Sequence, residues 1–190
     1  MPNFHEQLKS VYAEDRKAWR KWLRANHKTS GGIWLIYYKK GSGKPSISYA
    51  EAVKEALCFG WIDSKVNPID GERYKQVFTP RKPKSVWSAL NKRYITELLE
   101  QKQITRAGLK AIETAKQNGM WASLDAVESL TIPKDLEKAF AANQPAYKNF
   151  EAFTRGVRKQ FLYRLNSAKR QETRAKRIAE IIAAAAKPIT

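Results

Sequence analysis

Cysteine is nearly absent from this chain. Cys58 stands alone, so no disulfide can close within the chain, a usage that fits a reducing compartment. Histidine is almost as scarce. His5, His27 and Cys58 are the only soft ligands, too few for a structural zinc site built from four Cys and His, and no metal or cofactor is expected. A Ser–His–acid triad would have to recruit one of the same two histidines, and nothing around either marks it as a base. Long hydrophobic runs are missing too. The longest near the end, Ile181 to Ala186, is far shorter than the ~20 apolar residues that cross a bilayer. The first ten residues lack a basic stretch followed by an apolar one. No signal peptide and no transmembrane segment are therefore expected, and the expected location is cytoplasmic.

Negative charge is the remaining shortage. Eighteen acidic residues face 36 Lys and Arg, a net charge of +18. Such an excess favours an anionic partner (nucleic acid, an anionic membrane surface or a phosphorylated small molecule), but it is also compatible with a soluble basic surface that serves no partner. What is present is apolar enough to fold: 43% hydrophobic and 11% aromatic residues can offset the ordering entropy, and six Trp supply large core anchors. At 190 residues there is room for one core, or for one core with a helical appendage.

Residues 3–26 read as one helix, with Trp19, Trp22 and Leu23 on one face and Arg16, Lys17, Arg20, Lys21 and Arg24 around the rest. Ile33 to Lys40 is β-branched and aromatic on both faces, as a central strand is. Ser48 and Glu51 form a capping-box pattern for a helix with Val53, Ala56 and Leu57 as its apolar stripe and Gly60 as its stop. Cys58, surrounded by apolar residues, is expected to be buried and inert. Trp61 to Asn67 and Glu72 to Thr79 then read as a hairpin across Pro68 to Gly71, on which Asp63 could pair with Arg73.

Thr79 to Pro83 breaks that strand, and Ser85 is expected to cap a helix carrying Trp87, Leu90, Asn91, Tyr94 and Leu98. A helix N-terminus offers unbonded N–H groups to an anion, and cations crowd this one. The candidate small-anion site is therefore Arg73, Arg81, Lys84, Ser85, Ser88 and Asn91, with Asp63 nearby. The competing reading is a capped helix beside a solvated basic loop.

Thr105 can cap a helix with Leu109, Ile112 and Ala115, ending at Asn118 and Gly119. Residues 1–122 are expected to form an α+β core domain. Residues 123–190 are expected to be a helical C-terminal region, reached through a connection from Ser123 to Pro133. In its basic tail, Ser167 is expected to cap a helix with an Ala175, Ile178 and Ile182 stripe. Arg158, Lys159, Arg164, Lys169, Arg170, Arg174 and Arg177 are candidate nucleic-acid contacts, unless that helix simply docks by its aliphatic face.

Ala50 to Asp63 with its Cys58-Phe59-Gly60-Trp61-Ile62-Asp63 core, Phe78-Thr79-Pro80-Arg81, Trp87 to Asn91, and Glu172-Thr173-Arg174 with Arg177-Ile178 resemble the YdeI/OmpD-associated family, also called the bacteriocin-protection family. The resemblance runs from about Trp22 to about Ala184. It implies a cytoplasmic bacterial protein linked to stress response or bacteriocin protection, and it brings no established reaction to particular residues.

The expected fold is α+β: a small, mostly antiparallel sheet flanked by helices, followed by an all-helical C-terminal part. The expected function is that of a non-enzymatic binding module with a basic surface. The alternatives are a small-anion-binding domain or enzyme with a pocket around Arg73, Arg81 and Ser85, and a non-specific nucleic-acid-binding protein.

Overall fold

A computed structural model describes residues 4–187. They divide into two compact units, one up to Ala122 and the other from Ser123. Among the described residues there are nine α-helices and one four-stranded sheet, an α+β fold with its helices massed towards the C-terminus. No helix of the described residues is long and apolar enough to cross a membrane.

The first unit begins with β1 (Ser10–Tyr12), α1 (Arg16–Asn26) and β2 (Ile33–Tyr38). The single helix read over residues 3–26 is therefore half right. Residue 3 lies outside the described residues, Phe4–Glu6 is a 3-10 turn, and β1 takes Ser10, Val11 and Tyr12 into the sheet. Tyr12 then bonds the Pro45 carbonyl, and the helix starts only where the Asp15 carboxylate accepts the Ala18 N–H at 2.7 Å. Its apolar stripe falls as read, with Trp19 and Leu23 buried. Next come α2 (Tyr49–Cys58), β3 (Trp61–Pro68), β4 (Arg73–Pro80), α3 (Ala89–Glu100) and α4 (Arg106–Gln117).

The sheet order is β1-β2-β4-β3. Only β1 and β2 are parallel, and β2–β4 and β4–β3 are antiparallel. β2 is internal, and four of its six residues are buried. The β3–β4 register shifts between Asp63 and Val66, a bulge that turns the end of the hairpin. Trp19, Trp61 and Trp87 are essentially fully buried around Phe78 and Leu35.

α2 opens with the capping box expected of Ser48 and Glu51. At its other end Gly60 turns the chain into β3 with φ +73, a left-handed conformation that favours glycine. A Cβ there would meet the Ala107 carbonyl oxygen at 3.0 Å and the Ala111 methyl at 3.2 Å, so α4 packs on this corner as closely as only glycine allows.

The second unit contains α5 (Asp125–Glu128), α6 (Lys134–Ala141), α7 (Gln144–Ala152), α8 (Arg155–Asn166) and α9 (Gln171–Ala185). Its core is Val127, Leu136, Phe140, Ala146, Phe150, Leu162, Leu165, Ile181 and Ala185. The expected connection from Ser123 to Pro133 holds one helical turn, α5, because Val127 supplies a core anchor. Ser167 does not cap α9. It is the C-cap of α8, and its hydroxyl bonds the Arg164 carbonyl at 2.9 Å. Ile178 and Ile182 of the aliphatic face lie against the core of the unit.

Candidate anion site at the Arg81 junction

Arg81 is the first residue beyond β4. Pro80 ends the ladder opposite Trp61, and the Arg81 backbone N–H donates to the Gly60 carbonyl at 2.9 Å. The next residues form a tight turn. The Lys82 N–H donates to the Ser85 hydroxyl at 3.0 Å, and the Ser85 N–H donates back to the Lys82 carbonyl at 2.9 Å. Asn118 at the end of α4 ties the turn down by donating to the Pro83 carbonyl at 2.7 Å.

Ser85 therefore does not begin a helix. α3 starts after Ser88, whose hydroxyl accepts the Asn91 N–H at 3.2 Å, and Trp87 lies before the helix. The reason lies in the tertiary packing. Trp87 is buried with its ring 5.0 Å from that of Trp121, while the Arg81 guanidinium lies 3.6 Å from the Trp87 ring centroid. Holding both contacts keeps residues 81–87 in a turn.

The guanidinium is incompletely used. Nη1 donates to the Val86 carbonyl at 3.0 Å. Nε and Nη2 are shielded from solvent and have no hydrogen-bond partner. Burial lowers the Arg81 pKa to about 10, against which the Asp63 carboxylate pulls it back up. Two unpaired buried donors carry a standing cost of roughly 1–3 kcal/mol each, so their presence in a folded protein calls for an explanation. Nε and Nη2 form the side-on edge of the guanidinium, whose two parallel N–H groups match the spacing of two oxygens of one anion.

Arg81, Lys82 and Pro83 line two cavities. One, of about 220 Å³, is walled by Gly60, Trp87, Ala107, Lys110, Ala111, Thr114 and Ala115. The other, of about 620 Å³, is bordered by Phe4, His5, Gly31, Ser64, Thr79 and Pro80.

The remaining residues of the expected site go elsewhere. Arg73 is at the hairpin turn, where it pairs with Asp70 at 2.6 Å, so it does not reach Asp63. The bulge and the register put Asp63 opposite Phe78 instead. The Asp63 carboxylate accepts from Gln76 at 2.8 Å and from the Tyr49 hydroxyl at 3.0 Å. Lys84 is exposed, Ser85 holds the turn, Ser88 caps α3, and Asn91 is buried behind that cap. Lys110 was not legible as a neighbour, since only the packing of α4 on Gly60 brings it there.

In the second unit, four of the seven tail cations are engaged internally. Arg174 forms a two-pronged pair with Asp135, Lys159 pairs with Glu128 at 2.5 Å, and Arg164 pairs with Glu180 at 2.9 Å. Arg177 donates to the Arg164 carbonyl and to Ser167. Lys169 and Arg170 are exposed, and Arg158 is half-buried with its Nε unpaired.

A second ionic cluster in the first unit is one that sequence reasoning missed. Glu55, 1% exposed, receives Arg16 at 2.5 Å and Arg20 at 2.6 Å. Both arginines also bond Gln103, on its side chain and its carbonyl respectively. Among the described residues, no group of three His, Cys, Asp or Glu side chains is placed to hold a metal ion.

Comparison with protein families matches residues 11–111 to the family described as Domain of unknown function (DUF8412). Residues 129–187 match the one described as Bacteriocin-protection, YdeI or OmpD-Associated. No curated protein and no solved structure matches.

Proposed function

We infer a binding function for a chain that belongs to the family described as Domain of unknown function (DUF8412) and carries a bacteriocin-protection, YdeI or OmpD-associated region after it. In this reading the protein is a cytoplasmic module that recognises a small anion at Arg81. One observation carries the reading: Arg81, whose Nε and Nη2 are shielded and without a hydrogen-bond partner, is among the residues that line a cavity of about 220 Å³. A structural arginine of that burial would be expected to have all its donors met. Stacking on Trp87 and the bond to Val86 orient the group in advance, so an anion that enters need not order it.

The basic tail supports a polymer-binding role less well. Its pairs with Asp135, Glu128 and Glu180 hold helices of the second unit together.

The test is a titration with acetate, sulfate and inorganic phosphate, followed through the Trp87 indole N–H and the Arg81 Nε–H by NMR. At least one anion should produce a saturable shift at both groups. Arg81→Lys keeps the charge but loses the edge, and should abolish the shift while circular dichroism and melting show a folded protein. Saturable binding that survives in Arg81→Lys, or no shift at Arg81 with any of the three, would remove the proposal.

A further inference from the structure

We propose a second binding site, separate from Arg81, that holds the terminal phosphomonoester of a small molecule beside Glu55. Its cavity, of about 400 Å³, is lined by Arg16, Lys17, Arg20, Glu55, Lys102 and Gln103, none of which borders the cavities at Arg81.

Three elements build it. α1 carries Arg16, Lys17 and Arg20, α2 carries Glu55, and Lys102 and Gln103 follow α3. Each arginine is gripped twice. Arg16 donates through Nε to one Glu55 oxygen and through Nη2 to the Gln103 side chain, both at 2.5 Å. Arg20 donates through Nη1 to the other Glu55 oxygen at 2.6 Å and through Nη2 to the Gln103 carbonyl at 2.8 Å. Both oxygens of the buried carboxylate are thereby covered, and an incoming anion meets cations first. A ligand can reach those cations, because the Arg16 and Arg20 side chains are 34% and 27% exposed and Lys17 and Lys102 are exposed outright. Guanidinium groups fixed in this way need little further ordering when an anion arrives.

Four cations against one carboxylate leave a surplus of three positive charges in the lining. Arg16 also acts on Glu51, but that carboxylate lies outside the lining and is spent on the Ser48 cap. A carboxylate or a phosphodiester, each with a single negative charge, would leave most of the surplus unmet. A phosphomonoester carries about −1.5 to −2 at neutral pH on three acceptor oxygens, which suits arginine forks and lysine ammonium groups together. The cavity has the volume of about thirteen waters, room for the phosphate and a small organic group beside it.

Lys102 points the same way. It stands just past the end of α3 at φ +54, the left-handed conformation in which helices usually place glycine. Its N–H donates to the Leu99 carbonyl at 3.0 Å and the Gln103 N–H donates to the Leu98 carbonyl at 2.9 Å, bonds that glycine would keep. Glycine would be the less strained residue there, and what lysine adds is a charge at the cavity.

The experiment titrates the full-length protein separately with phenyl phosphate, dimethyl phosphate and an oligonucleotide without terminal phosphates, at pH 7.5 and constant ionic strength. NMR follows the Arg20 Nε–H and the Lys102 amide. Phenyl phosphate should saturate both signals, at a concentration about tenfold or more below that of dimethyl phosphate, because it brings close to twice the charge. Lys102→Gly should raise the urea midpoint and yet weaken phenyl phosphate about fivefold or more, the loss of one charge-assisted contact. Arg81→Lys should leave both signals and the affinity as they are, which separates this site from the first.

Equal affinity for the two phosphates would overturn the monoester assignment and reduce the site to a general attraction for anions. An oligonucleotide that saturates the same signals more tightly than phenyl phosphate would reassign the surface to a nucleic-acid backbone. No saturable shift at Arg20, or undiminished binding in Lys102→Gly, would remove the site.

Discussion

Gly108 in the first turn of α4 lies so close to the Cys58 carbonyl that a Cβ added there would stand 2.4 Å from the oxygen. The same oxygen accepts two bonds from the α4 cap, the Thr105 hydroxyl at 2.8 Å and the Thr105 N–H at 3.0 Å. The C-terminal end of α2 is thus satisfied by the N-terminal cap of α4, and glycine is what permits the approach. Gly108→Ala would gain up to ~1 kcal/mol of helix propensity but must push two backbones apart, which costs ~1–3 kcal/mol or more. The expected net result is a destabilised first unit, read as a lower urea midpoint with an unchanged slope. An unchanged or higher midpoint would refute the close fit.

Glu55 is the buried carboxylate between two arginines. Removing one partner of such a cluster leaves uncompensated charge. The loss for fully buried pairs is ~3–5 kcal/mol, and it is smaller where the cations keep some contact with water, as Arg16 and Arg20 do at 34% and 27% exposure. Glu55→Gln is expected to cost about 2–3 kcal/mol on that basis, with most of the loss retained in high salt because the carboxylate is shielded. Chemical denaturation at low and high salt measures both.

Asp135 links α6 to α9 through Arg174, and its hydrogen bonds with that guanidinium lower its pKa. A carboxylate depressed in the folded state contributes stability above its unfolded pKa, near 3.9, and loses it as pH falls through the lower folded value. The melting temperature of wild type should therefore exceed that of Asp135→Asn at pH 7, and the gap should close as pH drops below about 4. A gap that stays constant down to pH 2 would show that the pair contributes nothing through ionisation.

Tyr49 should titrate late. Desolvation at its hydroxyl, then the charge of Asp63, which accepts its hydrogen bond, push its pKa up to about 12. Asp63→Asn removes the charge but not the burial, so the value should fall part of the way towards 10. NMR of ring-labelled tyrosine across alkaline pH follows this residue separately from the others. An unmoved Tyr49 in the variant would place the whole effect in desolvation.

Local signals predicted local features well. The Ser48–Glu51 box, the Thr105 cap and the Gly60 stop each depend on residues within one turn, and each stands where the pattern puts it. What escaped is what tertiary contacts decide. Ser85 and Ser88 are equally good caps in isolation, and the packing of Trp87 on Trp121 and of Arg81 on Trp87 goes with the later one. β1 is three residues long and exists through a parallel partner more than twenty residues away, which no period in residues 3–26 could announce. The Asp63–Arg73 pair fails because the turn sets Pro68 opposite Tyr74, which leaves Asp63 opposite Phe78, five residues along β4 from Arg73. At the site, Arg81 was legible as a cation in a crowded junction. That its edge would be left bare, and that Lys110 would join it, depended on how α4 crosses the end of α2.

The sheet ends have a consequence for how copies of this protein meet. β1 closes one side with only three residues. The other side is β3, interrupted by its bulge, carrying Lys65 within the irregular stretch and ending at Pro68. A short strand, a kink, an outward charge and a missing N–H are the features that stop one sheet from extending into the next. With eighteen surplus positive charges repelling in addition, crowded copies have little opportunity to zip together strand by strand. The rim of the sheet is thus built against strand-to-strand pairing.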